Sequence, residues 1–226
     1  MEAFFTSRIR RYYNLELPKP ERLHQRWPVL IALHGYEGDK TSMMTLASHI
    51  ADGRMIIMSL QGQNQFFLRS GRHDPKSNRV GFGWGTSYKM EESIQLHDEG
   101  VRWLIRAAVW RHAGDPKRVF LLAFSQACAY NYRFVFSHPR VIRGVIAVCG
   151  GVPGDWDENP RFRKARTHVL HIAATQDEWY SHEQNEEYRR KLAERAASVD
   201  FRFYESTHRF PRASIPHIRQ WIEDRL

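Results

Sequence analysis

The chain predicts an α/β fold in which a mostly parallel central sheet carries helices on both faces. The first observation behind this is an alternation. Short continuous apolar runs alternate with helix-length amphipathic segments from residue 28 to residue 226. Strands buried on both faces read as apolar runs, and parallel strands need helical crossovers. The second observation is the junction at Ser125. There the run Val119-Phe120-Leu121-Leu122 ends, small residues flank a serine (Ala123-Phe124-Ser125-Gln126-Ala127), and a helical pattern begins at once. The 226 residues hold no Ser/Gly linker, repeat or low-complexity tract, so one domain spanning 1–226, with no large cap, is expected.

The N-terminal 27 residues give the weakest signal. Phe4 to Leu15 suit one or two short edge strands, because Arg8, Arg10 and Tyr12–Tyr13 interrupt a partial alternation. Val29–Leu33 reads as a buried strand, Ser42–Ile50 as a short helix capped by Thr41 or Ser42, and Met55–Leu60 as a second buried strand. Met90–Ala113 is a long helix, with Ile94, Val101, Leu104, Ile105 and Ala108 at helical spacing and Gly114 as its stop. Arg118–Ala123 is the strand before Ser125, and Gln126–Phe136 the helix after it. Val141–Val148, His168–Ala174 and Phe201–Tyr204 read as further strands, Glu183–Ala196 as a charged helix, and Arg212–Arg225 as the last helix.

The segment Gln61–Ser87 fits neither period. It mixes Phe66, Phe67, Phe82 and Trp84 with Arg69, Arg72, Lys76 and Arg79, and Tyr88 lies just beyond its end. An irregular loop of this length in a small domain is usually functional. Its place after the Met55–Leu60 strand puts it at the carboxyl edge of the sheet, where open α/β sheets bind ligands. Phe66, Phe82 and Trp84 are therefore expected to wall a substrate pocket; the alternative is a surface loop that packs its aromatics on the core.

Composition narrows the function. No apolar run approaches the ~18 residues of a spanning helix, and Met1-Glu2-Ala3-Phe4-Phe5 lacks the basic start of a signal peptide. Neither integral membrane association nor secretion is expected. Cys128 and Cys149 read as two buried thiols rather than a disulfide, which fits a reducing, cytoplasmic setting. The net charge of +9 raises the question of nucleic acid, but the arginines are scattered and no nucleic-acid motif accompanies them. The basic residues read as solvated surface that mildly attracts anionic substrates. No Cys/His cluster has metal-ligand spacing, and Gly81-Phe82-Gly83-Trp84-Gly85 is not read as following a strand or opening a helix, so neither a metal nor a cofactor is expected.

Chemistry concentrates where strands end. At a nucleophile elbow the serine takes a strained backbone conformation and its neighbours two positions away must be small; Ala123 and Ala127 satisfy this where glycine is usual. Earlier, Pro28-Val29-Leu30-Ile31-Ala32-Leu33 ends in His34-Gly35-Tyr36-Glu37-Gly38-Asp39. Later, Asp177 follows the His168–Ala174 strand, and His208 follows Phe201–Tyr204. The order Ser, Asp, His is that of α/β hydrolases. Among twelve histidines, His208 alone sits between the last strand and the last helix. His34 belongs to the oxyanion loop, His171 to a strand, and His182 and His217 to helical segments. Asp155, Asp157 and Glu178 compete with Asp177 for the acid. Cys128 lies three residues into the helix and points away.

These segments, with Cys149-Gly150-Gly151-Val152-Pro153, resemble the α/β-hydrolase superfamily, and within it the phospholipase/carboxylesterase group that includes the acyl-protein thioesterases. The likeness spans roughly residues 28 to 226. The chain departs from that group at Ala174-Thr175-Gln176, where His-Gly is usual, and at Trp179-Tyr180, where Val-Pro is common. The resemblance implies a Ser125-His208-Asp177 triad, with an oxyanion held by the Tyr36 and Gln126 backbone N–H groups. It implies cleavage of a small carboxylic ester or thioester, without naming the acyl group or the oligomeric state. A peptidase or acyltransferase with the same triad, and a non-catalytic binding protein on the same fold, are the alternatives. Fluorophosphonate labelling and product analysis separate them.

Overall fold

The computed structural model describes residues 1–19, 26–68 and 79–226. In chain order it contains β1 (Tyr13–Glu16), β2 (Trp27–Leu33), α1 (Lys40–Ala51), β3 (Ile56–Leu60), β4 (Asn64–Phe67), β5 (Val80–Gly83), α2 (Met90–Arg111) and β6 (Gly114–Phe124). There follow α3 (Gln126–Ser137), β7 (Gly144–Val148), β8 (His168–Ala174), α4 (His182–Arg195), β9 (Ser198–Tyr204), a single 3₁₀ turn (Arg212–Ser214) and α5 (Ile215–Glu223). Seven of these strands form one sheet in the order β1-β3-β2-β6-β7-β8-β9. The edge strand β1 runs antiparallel to β3, and the remaining pairs are parallel.

Strand side chains alternate between the two faces, and here both faces are covered. Val29, Ile31 and Leu33 join Met58, Leu121 and Ala147 in one core with Val101 and Leu104 of α2, Tyr132 and Val135 of α3, and Leu192 of α4. Leu30 and Ala32 join Ile57, Leu122, Ile146 and Leu170 in a second core with Met43 and Ile50 of α1 and Ile218 and Trp221 of α5. This explains why the strands read as unbroken apolar runs. The chain runs from β2 outward to β3, then returns through α2 to β6 on the other side of β2. Strand order therefore reverses between β2 and β6. Crevices open at such a reversal, outside the carboxyl ends of the strands.

Several boundaries differ from the sequence reading. Among the described residues of the N-terminal segment, regular pairing covers Tyr13–Glu16. Helix α1 starts earlier because Asp39 is its cap; its carboxylate accepts from Thr41 N at 2.7 Å and Ser42 N at 2.9 Å. Gly114 does not merely stop α2: it opens β6 and pairs with Trp27 across a register shift. Strand β7 begins at Gly144 rather than Val141. The last helix divides into the 3₁₀ turn and α5, with Pro216 in the first turn of α5. The main correction concerns Gln61–Ser87. Its described part is an antiparallel hairpin, in which Phe66 pairs with Gly81 and Gln65 with Phe82. The glycine-rich run is thus partly strand β5. Positions 69–78 of that segment, with Arg69, Arg72 and Lys76, lie outside the described residues.

Candidate active site

Four loops meet at the carboxyl edge, following β2, β6, β8 and β9. The loop after β6 is the tightest. Ser125 has φ 53° and ψ −120°, a conformation that L residues rarely adopt. Its N–H donates to Val148 O at 2.9 Å, which fixes the turn to the neighbouring strand. Space around it is limited. A Cβ on Gly35 would lie 2.7 Å from the Phe124 ring and 3.1 Å from the Ser125 Cβ. Glycine at position 35 is what allows the loop after β2 to approach the serine.

Asp177 and His208 come from loops that are stitched together. Thr175 N donates to Tyr204 O and Gln176 N to Ser206 O, each at 2.9 Å. The Asp177 side chain is only 1% exposed. Its Oδ1 accepts from Trp179 N at 2.9 Å and Tyr180 N at 3.1 Å, so the carboxylate cannot swing. His208 Nδ1 lies 3.0 Å from Oδ1 and 2.9 Å from Oδ2. A carboxylate only accepts, so Nδ1 carries the proton and Nε2 presents a lone pair. That lone pair faces Ser125 Oγ at 2.8 Å.

The competing acids are engaged elsewhere. Asp155 accepts from Arg133 at 2.9 Å, and Asp157 pairs with Lys191 at 2.9 Å. Glu178 accepts from the His208 backbone N–H at 2.9 Å rather than from the ring. The cap of α4 is Ser181, in a capping box with Gln184. Cys128 and Cys149 are free and buried. Burial drives the Cys128 thiol far up, and desolvation with the nearby Asp177 pushes Cys149 up to about 12. Cys149 takes a structural place, with its thiol donating to Arg209 O at 3.3 Å.

His34 is buried beneath the loop after β2. Gly62 N–H donates to its Nε2 at 2.9 Å, so the proton is on Nδ1, which donates to Gly35 O at 2.7 Å. Burial holds its pKa below the usual histidine value, in keeping with a neutral ring. Among the described residues, neither the Tyr36 N–H nor the Gln126 N–H donates to a protein acceptor. Both remain open at the sheet edge, and the Gln126 N–H is at the first turn of α3, where the helix dipole favours negative charge.

The three aromatic residues expected in a pocket wall separate. Phe66 stacks on Tyr36 with ring centroids 4.8 Å apart. Phe82 is half-buried and meets His34 edge-on at 6.5 Å. Trp84 departs from the expectation: it has no exposed area. Its indole N–H donates to His34 O at 2.8 Å, and its ring packs on His34 and His97. Phe124, Tyr180 and Trp179 surround the His208 ring at 5.3, 5.9 and 6.4 Å, and Trp179 is 74% exposed. The signal for the last two was the Trp179-Tyr180 departure from the pattern after the acid.

A separate cavity of about 330 Å³ between α2 and α3, lined by His97, Tyr130, Arg133 and Phe134 among others, shares none of the Ser125, Asp177 or His208 side chains. The candidate site is therefore taken from the hydrogen-bonded line and not from cavity size. Among the described residues no group of three or more His, Cys, Asp or Glu is gathered to hold a metal, and no helix is long and apolar enough to cross a membrane.

Comparison with known proteins agrees with this architecture. No protein-family profile matches the chain, and no curated protein matches it in sequence. Solved structures do match. A Bacillus cereus carboxylesterase superposes with a TM-score of 0.74 at 15% identity, over 96% of this chain and 95% of that one. A carboxylesterase from Mesorhizobium loti gives 0.69 at 21% identity over 87% and 88%, and a phospholipase/carboxylesterase from Dyadobacter fermentans 0.68 at 18% over 95% and 97%. The chain has the α/β-hydrolase fold.

Proposed function

We propose that the protein is a serine hydrolase that cleaves carboxylic esters or thioesters through an acyl-enzyme. The observation that carries this is the continuous line from Asp177 through His208 Nδ1 and Nε2 to Ser125 Oγ, with contacts of 2.9 and 2.8 Å. A serine hydroxyl hardly ionises at neutral pH and needs an adjacent base. In this reading Ser125 Oγ attacks the carbonyl carbon while its proton passes to His208 Nε2. The tetrahedral oxyanion accepts hydrogen bonds from the Tyr36 and Gln126 N–H groups. His208 then protonates the leaving alcohol or thiol as the carbon–oxygen or carbon–sulfur bond breaks. Water, deprotonated by His208, releases the acid and restores Ser125. Asp177 holds the required tautomer and stabilises the imidazolium. The exposed aromatic rings at Tyr36 and Trp179 support an acyl or leaving group with apolar surface.

The test is Ser125→Ala. We expect turnover of p-nitrophenyl acetate to fall at least ~10³-fold with the thermal midpoint nearly unchanged, and a fluorophosphonate to modify Ser125 in the wild type alone. Turnover within tenfold of wild type by purified Ser125→Ala, free of host esterase, rejects Ser125 as the nucleophile.

A further inference from the structure

The two oxyanion donors of the proposed mechanism come from segments far apart in sequence, and the main sheet does not hold them together. Parallel pairing between β2 and β6 ends at Leu33–Ala123, before either Tyr36 or Gln126. What joins them is the short strap after β5. Trp84 N–H donates to Gln126 Oε1 at 2.9 Å, and Gln126 Nε2 donates to Gly85 O at 2.9 Å. The strap is thus clamped to the first residue of α3 by a two-point amide contact. On its other side the Trp84 indole N–H donates to His34 O at 2.8 Å. His34 in turn fixes Gly35 O, the carbonyl directly before the Tyr36 N–H. Gln63 Nε2 also donates to Trp84 O.

We propose that Trp84 and the Gln126 side chain are positioning residues that set the spacing between the Tyr36 and Gln126 backbone donors. The inference rests on the serine-hydrolase reading above. A plain packing role does not require this chemistry. An apolar ring fills the same space, yet the indole N–H is spent on the carbonyl that leads into the donor loop. Oxyanion stabilisation depends steeply on donor position, and a misplacement of about 1 Å can cost about a hundredfold in rate. Trp84 is wholly buried and out of reach of substrate, and both amide atoms of Gln126 are taken up by the strap. The effect should therefore appear in the transition state and not in ground-state binding.

The decisive variant is Trp84→Phe, which keeps an aromatic ring and removes the donor. We expect kcat for p-nitrophenyl acetate to fall about ten- to hundredfold, with KM within about twofold. The second measurement is inhibition by an aryl trifluoromethyl ketone. Ser125 Oγ adds to its carbonyl, the proton moves to His208, and the resulting alkoxide occupies the donor site. Its inhibition constant should rise by the same factor by which kcat/KM falls. Gln126→Leu keeps the backbone donor, removes the clamp, and should move both quantities in the same direction; it decides the matter if Trp84→Phe does not fold. A folded variant with kcat within twofold of wild type overturns the proposal. So does a loss of activity that leaves the ketone constant unchanged. A wild type that neither labels at Ser125 nor cleaves esters rejects the functional reading and this inference together. A labelled, active wild type with unaffected variants rejects the inference alone.

Discussion

His208 and His171 show what place in this fold does to one residue type. His208 hangs from the loop after β9, 16% exposed, with Asp177 on one nitrogen and Ser125 on the other. His171 sits inside β8, one strand away, and is wholly buried. Its Nδ1 lies 2.9 Å from Tyr132 Oη, and its ring stacks on Phe201 with centroids 4.4 Å apart. Both rings have a hydroxyl partner at similar distance. Only His208 has a carboxylate to stabilise a positive charge and an opening through which a substrate can arrive. His97 repeats the buried case under α2, between Trp84 and Tyr130. Burial holds both buried rings down to about 3. At the sheet edge a histidine meets a carboxylate and an opening to solvent, and in the interior it is a neutral packing group.

The largest expected effect breaks the first half of that contrast. Asp177→Asn keeps the size of the acid but favours the wrong His208 tautomer, because the amide can donate to Nδ1. We expect kcat to fall about 10³- to 10⁴-fold with the fold intact. Glu178→Gln, which touches only the His208 backbone, should change kcat less than about threefold. Comparable losses in both variants would show that the loop's shape, not the Asp177 charge, is what His208 needs.

The second effect concerns the buried pair and runs through stability. In the unfolded chain a histidine titrates near ~6.5, whereas His97 and His171 in the folded state stay neutral down to about 3. Their folded pKa values are depressed. The unfolded state therefore takes up protons that the folded state refuses as pH falls below ~6.5, and stability rises with pH across that window. The cost from pH 7 to pH 5 is about 2 kcal/mol for each histidine. Urea midpoints between pH 5 and 8 should show this dependence, and His171→Phe should remove one histidine's share, about 2 kcal/mol between pH 7 and pH 5. An undiminished slope in a folded His171→Phe would place the protonation elsewhere.

The same contrast explains what could be read from the residues. Ser125, Asp177 and His208 are legible because each lies in a loop that follows a strand: Ser125 comes at once after the buried end of β6, Asp177 shortly after buried β8, and His208 shortly after the half-exposed β9, whose aromatic alternation marks it. The topology then brings the ends together. The β4–β5 hairpin was not visible: Phe66 and Gly81 pair across a long separation, and glycines and arginines erase the alternation. Trp84 reads as pocket wall because its segment follows a strand that ends at the carboxyl edge. Its burial comes from contacts with His34 and His97, which no local pattern encodes. The sequence places the start of α1 too late because Thr41 and Ser42 are themselves good caps, while Asp39 holds the bonds.

The smallest effect separates the rim from its support. Phe66 is half-buried against Tyr36, so a bound acyl chain can cover only the remaining part of its ring. Full burial of such a ring contributes ~1.5–3 kcal/mol, and the uncovered part about 1 kcal/mol, or roughly fivefold in rate. Phe66→Ala should therefore lower kcat/KM for p-nitrophenyl octanoate about fivefold more than for the acetate, whose acyl group is too short to reach the ring. Trp84→Phe should lower both esters equally, because a buried ring offers no surface to either. The comparison needs only the octanoate-to-acetate ratio in three proteins. If the ratio falls in Trp84→Phe and holds in Phe66→Ala, the strap lines the acyl site and the hairpin does not, which reverses the assignment of rim and support.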